Sequence, residues 1–345
     1  MFFAKKNTFK RVNEFKNNAD KSLHKNEMIT PPYKITTEIL NLVIEITEKV
    51  GRIHTQYIGK SSPELRKQNR IKTIHASLKI EGNTLTEDQI TSILENKRVL
   101  GPQKDILEVN NAIKVYDAID TWSYKSEKDF LEAHKNLTHD LIPDAGKYRL
   151  SGVGIVKGNK VEHLAPPAEL VSKLINDLFL YLKDNKDHDL IKSLVFHYEL
   201  EFIHPFSDGN GRMGRLWNTL ILINSFPIFQ YIPFETIIAK YQSGYYDALA
   251  RSDKKGESTD FILFMLNVIN ESLEPYLNQK EITLNVDDRI RIFLEQVKGE
   301  FTRSDYLKFF KSISSPTASR DLAEAVKQKL IEKTGDKRNT KYNKR

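Results

Sequence analysis

The chain has no cysteine in its 345 residues, which excludes disulfides, thiolate zinc sites and a cysteine nucleophile. No run of 18 apolar residues occurs, so no membrane-spanning helix is expected. Met1-Phe2-Phe3-Ala4 gives way at once to Lys5 and Lys6, too short an apolar stretch for a secretion signal. A soluble cytoplasmic protein without membrane attachment is therefore expected. The nine histidines include no His-Glu-x-x-His, and His197 and His204 have no third ligand close in sequence, so a structural zinc site is not expected. The glycine-rich G-x-x-x-x-G-K-[S/T] loop is also absent, which removes the P-loop route to ATP.

What is present is a dense twelve-residue stretch, His204-Pro205-Phe206-Ser207-Asp208-Gly209-Asn210-Gly211-Arg212-Met213-Gly214-Arg215. Apolar residues at 190, 191, 194, 195, 198, 202 and 203 predict a helix ahead of it, and Leu216 to Phe226 predict another behind it. The stretch is thus a loop between two helices, with Gly209-Asn210-Gly211 at the second helix's N-terminus. Free backbone N–H groups and the positive end of the dipole make an anion site there. Glycine allows close approach of a phosphate and a positive φ. Asp208 offers a hard oxygen of the kind Mg²⁺ takes beside phosphate oxygens. Arg212 and Arg215, three apart, share a helix face and can clamp phosphates bidentately. His204, just outside the cradle, is placed to take a proton from an incoming hydroxyl.

These twelve residues resemble the signature of the Fic family, H-P-F-x-[D/E]-G-N-G-R-x-x-R, at every position. The resemblance implies transfer of AMP from ATP onto a protein hydroxyl with release of pyrophosphate. It implies that His204 is the general base and Asp208 the Mg²⁺ ligand. Gly209, Asn210 and Gly211 would be the anion hole, Arg212 a phosphate contact, and Arg215 the residue holding the γ-phosphate. The related Doc toxins, which phosphorylate, lack the complete glycine pattern, so the match favours nucleotidyl transfer. In the family a Tyr-Tyr pair lies near the nucleotide, which makes Tyr245 or Tyr246 a candidate adenine contact.

Upstream, Thr73 to Asn83 predicts a helix ending at Gly82, with Ser77 and Glu81 four apart on one face. The pair matches the family's inhibitory pattern, [S/T]-x-x-x-E-[G/N], on the N-terminal side of the catalytic region as in class II members. The resemblance implies that Glu81 pairs with Arg215 and forces ATP to bind misaligned. In some relatives this glutamate also activates water to remove AMP, and the sequence leaves that second activity open. Val153 to His163, with Gly158-Asn159 as a turn, predicts a β-hairpin preceded by Gly146-Lys147-Tyr148-Arg149. It resembles the family's flap, which holds the target segment by strand addition.

The expected fold is mainly α: a helical region over 1–105 carrying the inhibitory motif at 77–83, a Fic core with a hairpin flap over 106–278, and a third module over 285–345. Residues 1–35 are expected to be an irregular basic lead-in. Further helices are expected over 35–56, 63–82, 86–96, 106–124, 128–141 and 237–251. In the third module, helices over 287–297, 302–310 and 315–330 and a hairpin over 335–342 read as a winged helix-turn-helix. Residues 285–345 hold 15 Lys+Arg against 9 Asp+Glu, +6 of the whole chain's +7. That concentration suits DNA, with Lys337, Arg338 and Lys341 as candidate phosphate contacts, while docking of a protein target is the other reading.

Two functions compete. One is an autoinhibited AMP transferase that uses ATP and Mg²⁺, modifies an unidentified target protein and itself, and forms a homodimer as class II relatives often do. The other is a DNA-binding regulator in which the same domain senses nucleotide with little turnover. An intact His204, Asp208 and Arg215 favours the enzyme, because a sensor needs no base.

Overall fold

A computed structural model describes residues 30–57, 63–152, 154–157, 160–277, 286–297, 299–310, 313–336 and 340–344. Most of the basic lead-in, the Gly158-Asn159 turn, and Lys337 and Arg338 lie outside them. The chain divides into two compact units: Met1–Val50 with Asn69–Glu274, and Gly51–Gln68 with Pro275–Arg345.

The described chain is mainly helical. Helix α1 (Thr37–Tyr57) buries Ile39, Leu42, Ile46 and Val50, the three-and-four spacing of one helix face. Helix α2 (Pro63–Ile80) stops at the signal read in the sequence. Gly82 takes φ 90°, and the Asn83 N–H donates to the Leu78 carbonyl at 3.1 Å, closing the helix end. Thr86 and Gln89 then form a capping box for α3 (Glu87–Leu94).

Helix α4 (Gln103–Asp117) is shorter than the expected 106–124, because the chain tightens into a 3₁₀ turn at Ile119–Thr121. Helix α5 (Glu127–Leu137) starts where the Ser126 side chain caps the Asp129 N–H. Strands β1 (Gly154–Lys157) and β2 (Lys160–Leu164) pair antiparallel, with Ile155 opposite His163 and Lys157 opposite Lys160. The register shifts between Ile155 and Val156. Helix α6 (Ala168–Asp184) follows.

Helices α7 (Asp189–Ile203) and α8 (Asn210–Ser225) form the centre of this unit. All of α7 from Leu190 to Leu200 is buried, polar Lys192, Ser193, His197 and Glu199 included. Phe130 packs against Trp217 at 5.1 Å, Phe206 at 5.4 Å and Phe179 at 5.6 Å between ring centroids. The signature loop thus rests on this aromatic core through Phe206.

The helix expected over 237–251 is two helices, α9 (Glu235–Lys240) and α10 (Gln242–Lys255), broken at Tyr241. The break sends the Gln242 side-chain amide to the Ile80 carbonyl at 2.9 Å, a contact made at the end of α2. Helix α11 (Thr259–Leu277) completes the run.

In the second unit, helices α12 (Val286–Gln296), α13 (Arg303–Phe309) and α14 (Ser315–Lys327) precede strands β3 (Ile331–Thr334) and β4 (Lys341–Lys344). The strands pair antiparallel, Ile331 opposite Lys344. Ile290, Phe293, Phe301, Tyr306, Leu322 and Ile331 belong to one apolar core. Buried Asp321 accepts from Arg289 at 2.6 and 2.8 Å.

Candidate functional site

The site is built where α7 ends and α8 begins. Helix α7 closes at His204, which takes φ 49° and ψ 60°. Left-handed backbone is uncommon for a residue other than glycine, and it turns the chain out of the helix here. Gly209 at φ 85° starts α8 without strain, because it lacks a Cβ. Between them, the Asn210 side chain accepts from the Phe206 N–H at 2.9 Å and donates to the Phe206 carbonyl at 3.0 Å. Asn210 therefore shapes the loop with its side chain, and what it offers an anion is its backbone N–H.

Arg215 is fully buried on the first turns of α8. Its Nε donates to Ser77 Oγ at 3.1 Å, and Nη2 donates to the Ser77 carbonyl at 3.0 Å and to Glu81 Oε1 at 2.6 Å. Burial works against its charge, but Glu81, together with Tyr245 and Glu201, prevails and raises its pKa. Its Nη1 is buried without a hydrogen-bond partner, an orphan donor facing the cradle. A side chain added at Gly211 would meet Glu81 Oε1 and lie 3.1 Å from Arg215 Nη1. The Glu81 carboxylate thus lies over the open backbone at Gly211, the space an anion would use.

Arg212, 4% exposed, reaches Asp208 Oδ2 at 3.0 Å and Glu108 Oε1 at 3.4 Å. Glu108 in turn accepts from Asn83 Nδ2 at 2.8 Å, so the segment after Glu81 also touches Arg212's partner. Burial raises the Asp208 pKa, but Arg212 and the Gly209 N–H prevail and hold it below the usual carboxylate value. Asp208 is therefore ionised at neutral pH. Among the described residues no three His, Asp or Glu side chains gather to hold a metal by themselves. One carboxylate suits an ion that arrives with phosphate oxygens, as Mg²⁺ does.

His134, missed in the sequence, pins this loop from α5. Its Nδ1 accepts from the Gly146 N–H at 2.9 Å, its Nε2 lies 3.0 Å from the Asp208 carbonyl, and its ring stacks on Phe206 at 3.6 Å. Arg149 and Glu108 were also unforeseen as site residues. Arg149 was legible only as the end of the run before the hairpin, since its partners are backbone carbonyls. Tyr245 and Tyr246 diverge. Tyr245 is buried, with its hydroxyl 3.1 Å from His197 Nε2 and 3.2 Å from Glu201 Oε1. Tyr246 is 40% exposed, and its hydroxyl lies 3.5 Å from the Ile80 carbonyl.

A Fic/DOC family model matches residues 124–222. Protein adenylyltransferase Fic of Nematostella vectensis is 30% identical over 226 residues, 61% of this chain and 49% of that protein. The protein of that name from Aedes aegypti is 31% identical over 224 residues, 61% of this chain and 42% of that one. The chain thus spans about half, or less, of the length of these curated relatives. The crystal structure of a Fic family protein from Desulfovibrio desulfuricans G20 superposes with a TM-score of 0.71 at 40% identity, over 92% of this chain and 98% of that chain. Fic-1 (aa134 - 508) from C. elegans shares the fold at a TM-score of 0.56 and 22% identity, over 69% of this chain and 73% of that one. With its complete signature at 204–215 and its match along nearly all of a Fic family structure, the chain belongs to the Fic family.

Proposed function

We propose that this protein transfers AMP from ATP to a hydroxyl of a protein and is restrained by its own Glu81. In this reading the hydroxyl oxygen attacks the α-phosphorus, forming the new P–O bond as the bond to pyrophosphate breaks. The hydroxyl proton goes to the His204 imidazole, and pyrophosphate leaves. Arg215 holds the γ-phosphate, Arg212 touches the phosphate chain, and the backbone at Gly209, Asn210 and Gly211 receives the phosphates at the start of α8. Asp208 would hold Mg²⁺, which neutralises phosphate charge when bound. Tyr246, the exposed ring of the tyrosine pair, is the better adenine candidate.

The observation that carries the reading is the 2.6 Å pair between Glu81 Oε1 and Arg215 Nη2, with the carboxylate over Gly211. The orphan Nη1 donor beside Gly211 supports the reading too, since a γ-phosphate must displace Glu81 to be held in line. The Nematostella and Aedes proteins, named protein adenylyltransferase Fic, support it. Intact-mass measurement of wild type and Glu81→Gly incubated with ATP and Mg²⁺ tests it. An added mass of AMP on the variant is expected; ATP binding without any added mass on self or target would favour nucleotide sensing instead.

For the second unit we propose a winged helix-turn-helix, with α13 and α14 as the paired helices and β3–β4 as the wing. The order of its elements around one core supports this, and the +6 charge of residues 285–345 supports contact with DNA.

A further inference from the structure

Arg149 is a buried cation to which the transfer chemistry gives no role. It is 3% exposed, and burial lowers its pKa from the ordinary arginine value. A buried guanidinium is costly unless its donors are met. Here they meet four backbone carbonyls: His204 from Nε at 2.7 Å, Ser151 from Nη1 at 2.8 Å, and Pro166 and Ile203 from Nη2 at 2.6 and 3.2 Å. The Arg149 N–H donates to the Pro205 carbonyl at 2.9 Å. Three consecutive residues, 203 to 205, from the end of α7 into the loop, therefore hang on this one residue.

The other two carbonyls stand at the feet of the hairpin. Ser151 lies just before β1, which begins at Gly154, and Pro166 just after β2, which ends at Leu164. The carbonyls of Ile203 and His204 lie at the C-terminal end of α7, where helix carbonyls lack intrahelical partners and the dipole is negative. A planar fork can meet them through Nε and Nη2 while Nη2 also reaches Pro166 and Nη1 reaches Ser151; a lysine ammonium cannot. The left-handed backbone of His204, uncommon for a residue other than glycine, is held in place by this clamp.

We infer that Arg149 is a positioning residue that ties both feet of the β1–β2 hairpin to the backbone of His204. It thereby fixes the spacing between a hydroxyl held at the hairpin and the imidazole that takes its proton. The inference rests on the transfer reading for the roles of hairpin and base, while the clamp itself is a matter of geometry.

The test compares Glu81→Gly with Glu81→Gly/Arg149→Lys and Glu81→Gly/Arg149→Met, each checked for cooperative unfolding. The lysine variant carries the test if the methionine variant does not fold. ATP affinity in the presence of Mg²⁺ should stay within about threefold of the parent. The transfer kcat should fall by ~10²-fold for methionine and at least ~10-fold for lysine, because a misplacement of about 1 Å is that expensive. Backbone hydrogen exchange at 154–157, 160–164 and 203–206 should rise together in both variants. Folded variants that keep kcat within about twofold overturn the inference, and so does loss of ATP affinity in parallel with kcat. If Glu81→Gly itself transfers nothing, the transfer reading fails separately. Hydrogen exchange then decides the clamp, and unchanged protection at both the hairpin and 203–206 refutes it.

Discussion

Glu81 and Arg215, 134 residues apart in sequence, meet at 2.6 Å through Oε1 and Nη2. The arginine is fully buried, while the glutamate side chain keeps 34% of its surface exposed. The pair is therefore a fixed cation with a partner that solvent can reach. Water can reach Glu81, whereas Arg215 has no solvent to retreat to, so loss of the carboxylate leaves a buried unpaired charge that another anion would relieve.

In the proposed reading, removing Glu81 should release AMP transfer. Glu81→Gly should raise AMP transfer by ~10²–10³-fold, the usual worth of one preorganised donor at a reacting phosphate or oxyanion. Glu81→Gly/Arg215→Ala should fall back to the wild-type level. If the double variant is as active as Glu81→Gly alone, the two residues do not oppose each other.

Removing the base should separate binding from chemistry. In the Glu81→Gly background, His204→Ala should lose at least ~10²-fold in transfer, the typical share of a general base. ATP affinity measured by calorimetry should stay within a fewfold, because His204 acts on the hydroxyl. Sustained transfer by the alanine variant would remove His204 from the mechanism.

The cradle itself has a sharper test. With Glu81 removed, a Cβ at Gly211 no longer meets a carboxylate, so Glu81→Gly/Gly211→Ala should fold with a melting temperature close to that of Glu81→Gly. It should nevertheless remain inactive, since the methyl stands where a phosphate must approach. Activity equal to Glu81→Gly would show that the nucleotide binds elsewhere.

Two buried groups should give opposite pH dependences. Burial pushes the Glu235 carboxyl up to about 7, with Thr219 Oγ1 3.0 Å and Thr73 Oγ1 3.3 Å from its oxygens. Between pH 4.5 and about 7 the unfolded chain releases this proton while the folded one keeps it, so this group's contribution to stability falls as pH rises. Glu235→Gln should therefore gain stability over wild type across that window, on the order of 1–3 kcal/mol above pH 7. His197, fully buried, is held down to about 3 by burial and then by Arg215. The unfolded chain protonates it below pH 6.5 and the folded one does not, so stability falls as pH falls from 6.5 toward 3. His197→Gln should flatten that acid slope. Urea unfolding at a series of pH values reads both, and variants whose difference from wild type does not move with pH would contradict both assignments.

If the second unit touches DNA, the contact is electrostatic. Affinity should weaken steeply with salt, each neutralised phosphate contributing about −0.9 to the log–log slope. The exposed Lys327 and Lys341 are candidates, and Lys327→Glu/Lys341→Glu should reduce the slope by about 2 while leaving self-modification unchanged. Unchanged DNA binding would assign the unit to docking; the mark of docking is loss of a cellular target with full self-modification retained.

What the sequence by itself determined is local. The spacing within 204–215 and the apolar periods on either side placed a loop between two helices, and Gly82 and Gly209 take the positive φ that their neighbours suggested. Ser77 and Glu81 share a face because four residues make about one helical turn. The tertiary structure decided what those faces meet. The helix expected over 237–251 breaks at Tyr241, where the new direction sends Gln242 to the Ile80 carbonyl, a gain no local propensity encodes. Tyr245 and Tyr246, adjacent in sequence, point one into the core and one toward the site, since 100° of helical turn separates them. His134, Glu108 and Arg149 were unreadable for a shared reason. Arg149 and His134 act largely on backbone groups, which every residue possesses alike, and Glu108 acts through an arginine 104 positions away. Such contacts exist only once packing has brought distant segments together, and only the folded chain records them.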